Sequence, residues 1–297
     1  MKKFAAFILV LCLLCSLSGC AKKYQRISFD GEELGAEVEL YVDEQTKVTN
    51  LTKDQFPKEL PIYEITPRDI SQEDFEKMLQ NLQIEDQRSR FDLDGNTVSG
   101  DVMSITDYSA GDFSMTDEDL EVLAKETFAK LPFTQGEYEY KGITGKTTIS
   151  GDAVGKIVTR VYVRFSRVLD GVRVAGNDRC ELGFDNNGFV DMYVRVYDYK
   201  KTGTMDLVSY ESAVQRIKNP DSLSVDGSAT DQKLQALCAE QVELYFINQN
   251  SRGCTILQPI YNFKGTATSA GGKEGEFQSK IIAIPESYTY EKKDEVS

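Results

Sequence analysis

The sequence of 297 residues contains no histidine and no tryptophan. Without histidine, no Ser/His/Asp or Cys/His catalytic arrangement can be built, and the usual zinc sites are excluded with them. Any chemistry is left to carboxylates, lysines, tyrosines and thiols. Positive charge is also scarce, since 34 Lys and Arg stand against 48 Asp and Glu for a net charge of -14. A field of that sign argues against binding nucleic acid or resting on an anionic membrane face, both of which need a basic surface. Long apolar runs are missing too: the stretch from Phe4 to Cys15 falls well short of the ~20 residues that a membrane-spanning helix needs. Cysteine is sparse beyond that stretch, at Cys20, Cys180, Cys238 and Cys254. Cys238 and Cys254 flank an expected strand, Gln241–Asn248. At about 3.3 Å per residue it holds them farther apart than the ~7 Å Cα limit of a disulfide, so this pair is expected to be unbridged.

What is present begins with an address. Lys2 and Lys3 precede the apolar stretch, and Leu17-Ser18-Gly19-Cys20 follows it with the small residues of a cleavage site. The order resembles the lipobox of bacterial lipoproteins. The resemblance implies that residues 1–19 are a signal peptide, that the Cys20 thiol is acylated, and that the mature chain starts at Cys20 on the extracytoplasmic face of the cell membrane. Removing the signal takes Lys2 and Lys3 with it and moves the charge from -14 to -16. The membrane is then engaged through the lipid on Cys20, since two acyl chains anchor a protein stably where one does so marginally.

Residues 20–54 read as a polar tether with one alternating patch, Val38–Val42. Residues 55–111 form an N-terminal α+β segment. In it a strand at Leu60–Ile65 leads to a helix capped by Ser71 with Asp74 three residues on, and Phe75, Met78, Leu79 and Leu82 lie along that helix. Phe91-Asp92-Leu93-Asp94-Gly95-Asn96 invites comparison with a calcium loop. That loop needs glycine where Thr97 stands and glutamate where Met103 stands, so Asp94-Gly95 reads as a hairpin turn.

Residues 112–203 form a first module. Its helix, Thr116–Lys130, has Asp119 in the capping-box position and Leu120, Leu123, Ala124 and Phe128 on one face. Asp117, Glu118 and Asp119 fit the first-turn preference of the helix dipole rather than an acid/base or metal cluster. Strands follow at Ile157–Val168, Cys180–Phe184 and Val190–Tyr197, with a turn at Asp185-Asn186-Asn187-Gly188. Residues 204–290 form a second module: a helix capped by Ser209 and running to Ile217, a short helix at Leu234–Cys238, and strands at Gln241–Asn248, Ile256–Phe263 and Phe277–Ile284. Residues 291–297 are a charged tail.

Period-two alternation assigns Val161, Val163, Phe165, Val190, Met192, Val194 and Val196 to the inner face of the first module's sheet. The other face then receives Arg160, Tyr162 and Arg164 from one strand and Tyr193, Arg195 and Tyr197 from another. Tyrosine and arginine are enriched at interaction hot spots, which makes these six residues the candidate interaction face.

The segments Val168-Leu169-Asp170-Gly171-Val172-Arg173-Val174 and Leu182-Gly183-Phe184-Asp185-Asn186-Asn187-Gly188 resemble the PepSY family of small exported modules. So do Tyr210-Glu211-Ser212-Ala213, Val242-Glu243-Leu244-Tyr245-Phe246 and Leu257-Gln258-Pro259-Ile260-Tyr261-Asn262-Phe263. The layout is similar to the extracytoplasmic part of the YycH/YycI accessory regulators, which carry an N-terminal transmembrane helix where this chain has a lipobox. The resemblance implies an α+β fold of tandem helix-plus-antiparallel-sheet modules and a noncatalytic regulatory role with a protein partner. No cofactor and no metal are expected. Two other functions compete: a carboxylate-dependent hydrolase, which needs two carboxyl groups about 5–9.5 Å apart with one pKa raised, and a solute-binding lipoprotein, which needs repeated βα units about a hinge.

Overall fold

The structure, a computed structural model, describes residues 24–25, 57–84, 89–102, 112–151, 155–217, 221–227, 234–250, 253–269, 271–285 and 289–290. Cys20, the patch Val38–Val42 and the tail 291–297 lie outside the described residues. In chain order the elements are β1 (Tyr24–Gln25), β2 (Glu59–Pro67), α1 (Gln72–Asn81), β3 (Ser89–Asp94), β4 (Thr97–Val102), α2 (Asp117–Phe128), β5 (Tyr138–Gly151), β6 (Gly155–Leu169) and β7 (Val172–Gly176). They continue as β8 (Arg179–Asp185), β9 (Gly188–Arg195), β10 (Tyr197–Asp206), α3 (Tyr210–Arg216), β11 (Ser222–Gly227), β12 (Leu234–Asn248), β13 (Gln258–Ser269), β14 (Glu274–Ile282) and β15 (Thr289–Tyr290).

The helices start where their caps place them. The hydroxyls of Ser71, Thr116 and Ser209 accept from the backbone N–H groups of Asp74, Asp119 and Ser212 at 3.0, 3.1 and 3.2 Å, satisfying donors that a helix start leaves free.

The expected α+β class is overturned, because the protein is mostly β. Its three helices among the described residues span 10, 12 and 7 residues, whereas β6 and β12 run to 15 residues each. The difference comes from strands whose own sequences carry little apolar alternation. Polar β5, interrupted by Gly142 and Gly145, is held by its ladder with β6. Leu234–Cys238, expected as a short helix, instead pairs with β13 from Leu234 opposite Ser269 to Cys238 opposite Thr266. Pairing overrides propensity here.

Eleven strands form one sheet in the order β11-β14-β13-β12-β7-β6-β8-β9-β4-β3, with β5 on the other edge of β6. The two halves are not copies of one module. In the first half the strand after the helix, β5, pairs with the next strand, β6; in the second half β11 pairs with β14, the last strand of the large sheet in chain order. The halves meet at β7, which closes a hairpin with β6 and lies parallel to β12. Asp170 and Gly171 make that hairpin turn with φ of 48° and 76°, the pair of positive values that a type I′ turn requires.

Two cores fill the two halves. The first packs Ile70, Phe75, Met78, Val98, Leu120 and Ala124 against the inner faces of β6, β8 and β9. All seven residues expected on the inner face are buried. The second core gathers Phe246, Tyr261, Phe263, Phe277 and Ile281 with Ala213 and Ile217 of the α3 region. A separate antiparallel ribbon of β2 and β10 adds Leu60, Ile62, Tyr63, Ile65 and Met205 to that second core. Residues 55–111 are therefore divided between the cores, β2 going to one and α1 with β4 to the other.

Cys180 and Cys254 are buried and Cys238 is exposed, and none of the three is in a disulfide. Cys238 lies within β12 and Cys254 beyond its end, and the pair is unbridged, as expected.

Candidate functional site

The outer face of the first half is built by alternation on β6, β8 and β9. Because Val161, Val163 and Phe165 are buried, Arg160, Tyr162 and Arg164 must point the other way. The same logic turns Tyr193 and Arg195 outward from Met192 and Val194. The two expected groups are not neighbours, however, because β8 lies between β6 and β9. It brings Arg179, Glu181 and Gly183 into the middle of the face. Their registers make two rows, Tyr162–Gly183–Asp191 and Arg164–Glu181–Tyr193, followed by the pair Arg179–Arg195.

In the first row the missing side chain at Gly183 makes room for a ring. A Cβ there would stand 3.1 Å from Cε1 of Tyr162 and 2.7 Å from Cβ of Asp191. Arg160 Nη1 donates to Asp191 Oδ2 at 2.9 Å, and the Tyr162 hydroxyl approaches the same oxygen at 3.4 Å. Burial raises the Asp191 carboxyl above its ordinary value against the pull of Arg160.

The second row centres on Glu181, which accepts from Arg164 Nη2 at 3.0 Å and from Arg179 Nη2. Burial pushes this carboxyl up, but the hydrogen bonds from the two guanidinium groups outweigh it and hold it below the usual carboxylate range. Arg195 donates from Nε to Thr97 Oγ1 at 3.0 Å. The guanidinium carbons of Arg179 and Arg195 lie 5.2 and 5.5 Å from the centre of the Tyr193 ring, within cation–π range.

Tyr197 departs from the expected face. β9 ends at Arg195 and the chain swings at Val196, where β10 leaves the large sheet to pair with β2. Val196 therefore packs in the first core and Tyr197, 8% exposed, in the second. Only the surroundings of its hydroxyl, where Arg195 and Asn96 lie, keep it in touch with the face.

Sequence reasoning passed over Arg179, Glu181 and Asp191. The signal was there in part: once Cys180 and Leu182 point inward, Arg179 and Glu181 must point outward. Extending the expected strand by one residue at its start would have reached Arg179.

A second polar cluster sits at the seam of the two halves. Asp178, in the turn between β7 and β8, is the only buried carboxylate among the described residues. Tyr199 donates its hydroxyl proton to Asp178 Oδ2 at 2.5 Å and receives a hydrogen bond from Asn248 Nδ2 at 3.1 Å. Burial raises the Asp178 carboxyl to about 6, against the opposing influence of Tyr199, Arg167 and Arg68.

Among the described residues no group of His, Cys, Asp and Glu is placed to hold a metal ion. Compared with known proteins, the chain matches no family and no curated protein.

Proposed function

We propose that this chain is a noncatalytic lipoprotein, anchored through Cys20 at the outer face of the cell membrane, that binds a protein partner in a regulatory role. The observation that carries the reading is the outer face of β6, β8 and β9, where arginine and tyrosine gather on a chain of net charge -14. Large rigid rings and forked guanidinium groups supply contact area and directional bonds, the features that concentrate binding energy at interfaces. The lipobox supports the location. No helix among the described residues is long and apolar enough to cross a membrane.

The hydrolase reading is less well supported. It needs two close carboxyls with one pKa raised; Asp178 instead faces Tyr199 with Arg167 and Arg68 nearby, and Asp191, which is raised and stands opposite Asp101 in the ladder, is tied to Arg160. Glu240 and Glu276 do line one surface hollow, but both are exposed.

Two experiments test the proposal. Replacing Cys20 by alanine should move the protein from the membrane fraction to the medium or leave its precursor uncut. A processed Cys20→Ala protein still bound to membranes would rule out the lipid anchor. For the face, Tyr162, Arg164 and Arg195 are changed together to serine, folding is checked by thermal melting, and the protein is crosslinked to its neighbours on intact cells. Loss of a partner that the wild type captures is the expected result, and retention of every partner by the folded variant would end the case for this face.

A further inference from the structure

Arg179 of β8 and Arg195 of β9 are directly opposite one another in the ladder. Like charges in that position repel. Elsewhere on this face arginine is matched by a carboxylate, Arg160 by Asp191 and Arg164 by Glu181. Here Arg179 must share Glu181 with Arg164, and Arg195 makes no ion pair among the described residues, taking Thr97 as its neutral acceptor. Three guanidinium groups thus face one carboxylate. The chain holds 48 acidic residues, so the deficit is a local arrangement and not a shortage. Nε of Arg164 and Nε of Arg179 are buried without a hydrogen-bond partner, while the Arg179 side chain remains 40% exposed. Both guanidinium groups of the opposed pair lie near the Tyr193 ring.

We propose that Arg179, Tyr193 and Arg195 form a clip for the side-chain carboxylates of an acidic segment in a protein partner. This rests on the reading of the face as a protein-binding surface and names the chemistry it selects. A carboxylate entering beside the ring neutralises the opposed pair, and its planar shape matches the guanidinium fork. A broad anionic membrane surface would meet the acidic remainder of the protein at the same time, whereas a narrow peptide segment can reach the clip alone. Local rules are broken in native proteins chiefly at sites of function. The repulsion relieved on binding is the contribution the free protein forgoes.

The test uses the full processed protein and a fluorescent hexaglutamate peptide, with hexaglutamine, inorganic phosphate and phosphatidylglycerol vesicles as competitors. Hexaglutamate should bind, hexaglutamine should not, and added salt should weaken binding. Arg195→Gln and Arg179→Gln should each weaken it about tenfold or more, Arg195→Lys less, and Lys125→Gln, on the exposed side of α2, not at all. Arg195→Gln should melt no lower than wild type, because it removes one of two opposed charges. If it fails to fold, Arg179→Gln carries the test. Equal binding by wild type and both glutamine variants, or displacement by phosphate or vesicles in preference to hexaglutamate, would overturn the clip. If hexaglutamate does not bind while the triple serine variant still loses its cellular partner, the clip is wrong and the binding face stands. If that variant keeps every partner, the face itself is wrong.

Discussion

Replacing Phe165 with alanine is expected to lower the stability of the protein by ~3–5 kcal/mol, the range for a large aromatic side chain removed from a core. Phe165 is 4% exposed. Its ring stacks on Phe128 of α2 with centroids 4.2 Å apart and meets Tyr140 of β5 edge-on at 5.5 Å. It therefore joins three elements at once: the long strand β6, the helix packed over it, and an edge strand with little apolar alternation of its own. Deleting the ring removes the burial and leaves a cavity between Phe128 and Tyr140. Urea denaturation measures the effect directly. A loss under ~1 kcal/mol, typical of surface changes, would mean that the inner and outer faces of β6 are reversed.

The second large effect runs in the stabilising direction. Asp178→Asn should make the protein more stable at neutral pH by up to about 3 kcal/mol, because the native carboxyl titrates near 6 against an ordinary value of 3.8. The sign follows from proton binding. A raised native pKa means that the folded protein holds this proton more tightly than the unfolded chain. The Asp178 contribution is then complete below the ordinary carboxylate pKa, declines as pH rises towards about 6, and is absent above that. Asparagine keeps a neutral acceptor for the Tyr199 hydroxyl at every pH.

The groups facing Asp178 are Tyr199 of β10, Arg167 of β6 and Arg68 just after β2, with Tyr138 of β5 and Cys180 of β8 also in electrostatic range. The carboxylate thus lies where the ribbon, the first half of the sheet and β7 converge. Denaturation curves for wild type and Asp178→Asn should coincide near pH 4 and separate progressively up to neutrality. Curves that stay together at pH 7 would show that the ionised carboxylate is fully compensated in the native protein.

How far the sequence spoke depended on the range of the interaction. Helix starts were legible because a cap is settled within four residues, and Ser71, Thr116 and Ser209 each hold the donor that their spacing required. The inner face of β6 and β9 was legible because side chains on a strand alternate by geometry, whatever the strand pairs with. The outward placement of Arg160, Tyr162, Arg164, Tyr193 and Arg195 follows from the same fact. Strand order was not legible in this way, and it brought β8 between the two expected groups, so that Arg179 and Glu181 complete the face.

The fate of Tyr197 depended on where β9 stopped. One residue beyond Arg195 the chain exchanges its partner for β2, and alternation then places that ring in the other core. β5 and Leu234–Cys238 became strands because neighbouring ladders satisfied their backbone groups, a contribution that no window of local sequence contains. Local geometry and capping were thus determined by the sequence alone: three helix starts, one buried face and the residues opposite it. The predominance of β structure, the seam at Asp178 and the meeting of Arg179 with Arg195 were decided only when distant strands paired, since pairing energy belongs to two segments together and to neither by itself.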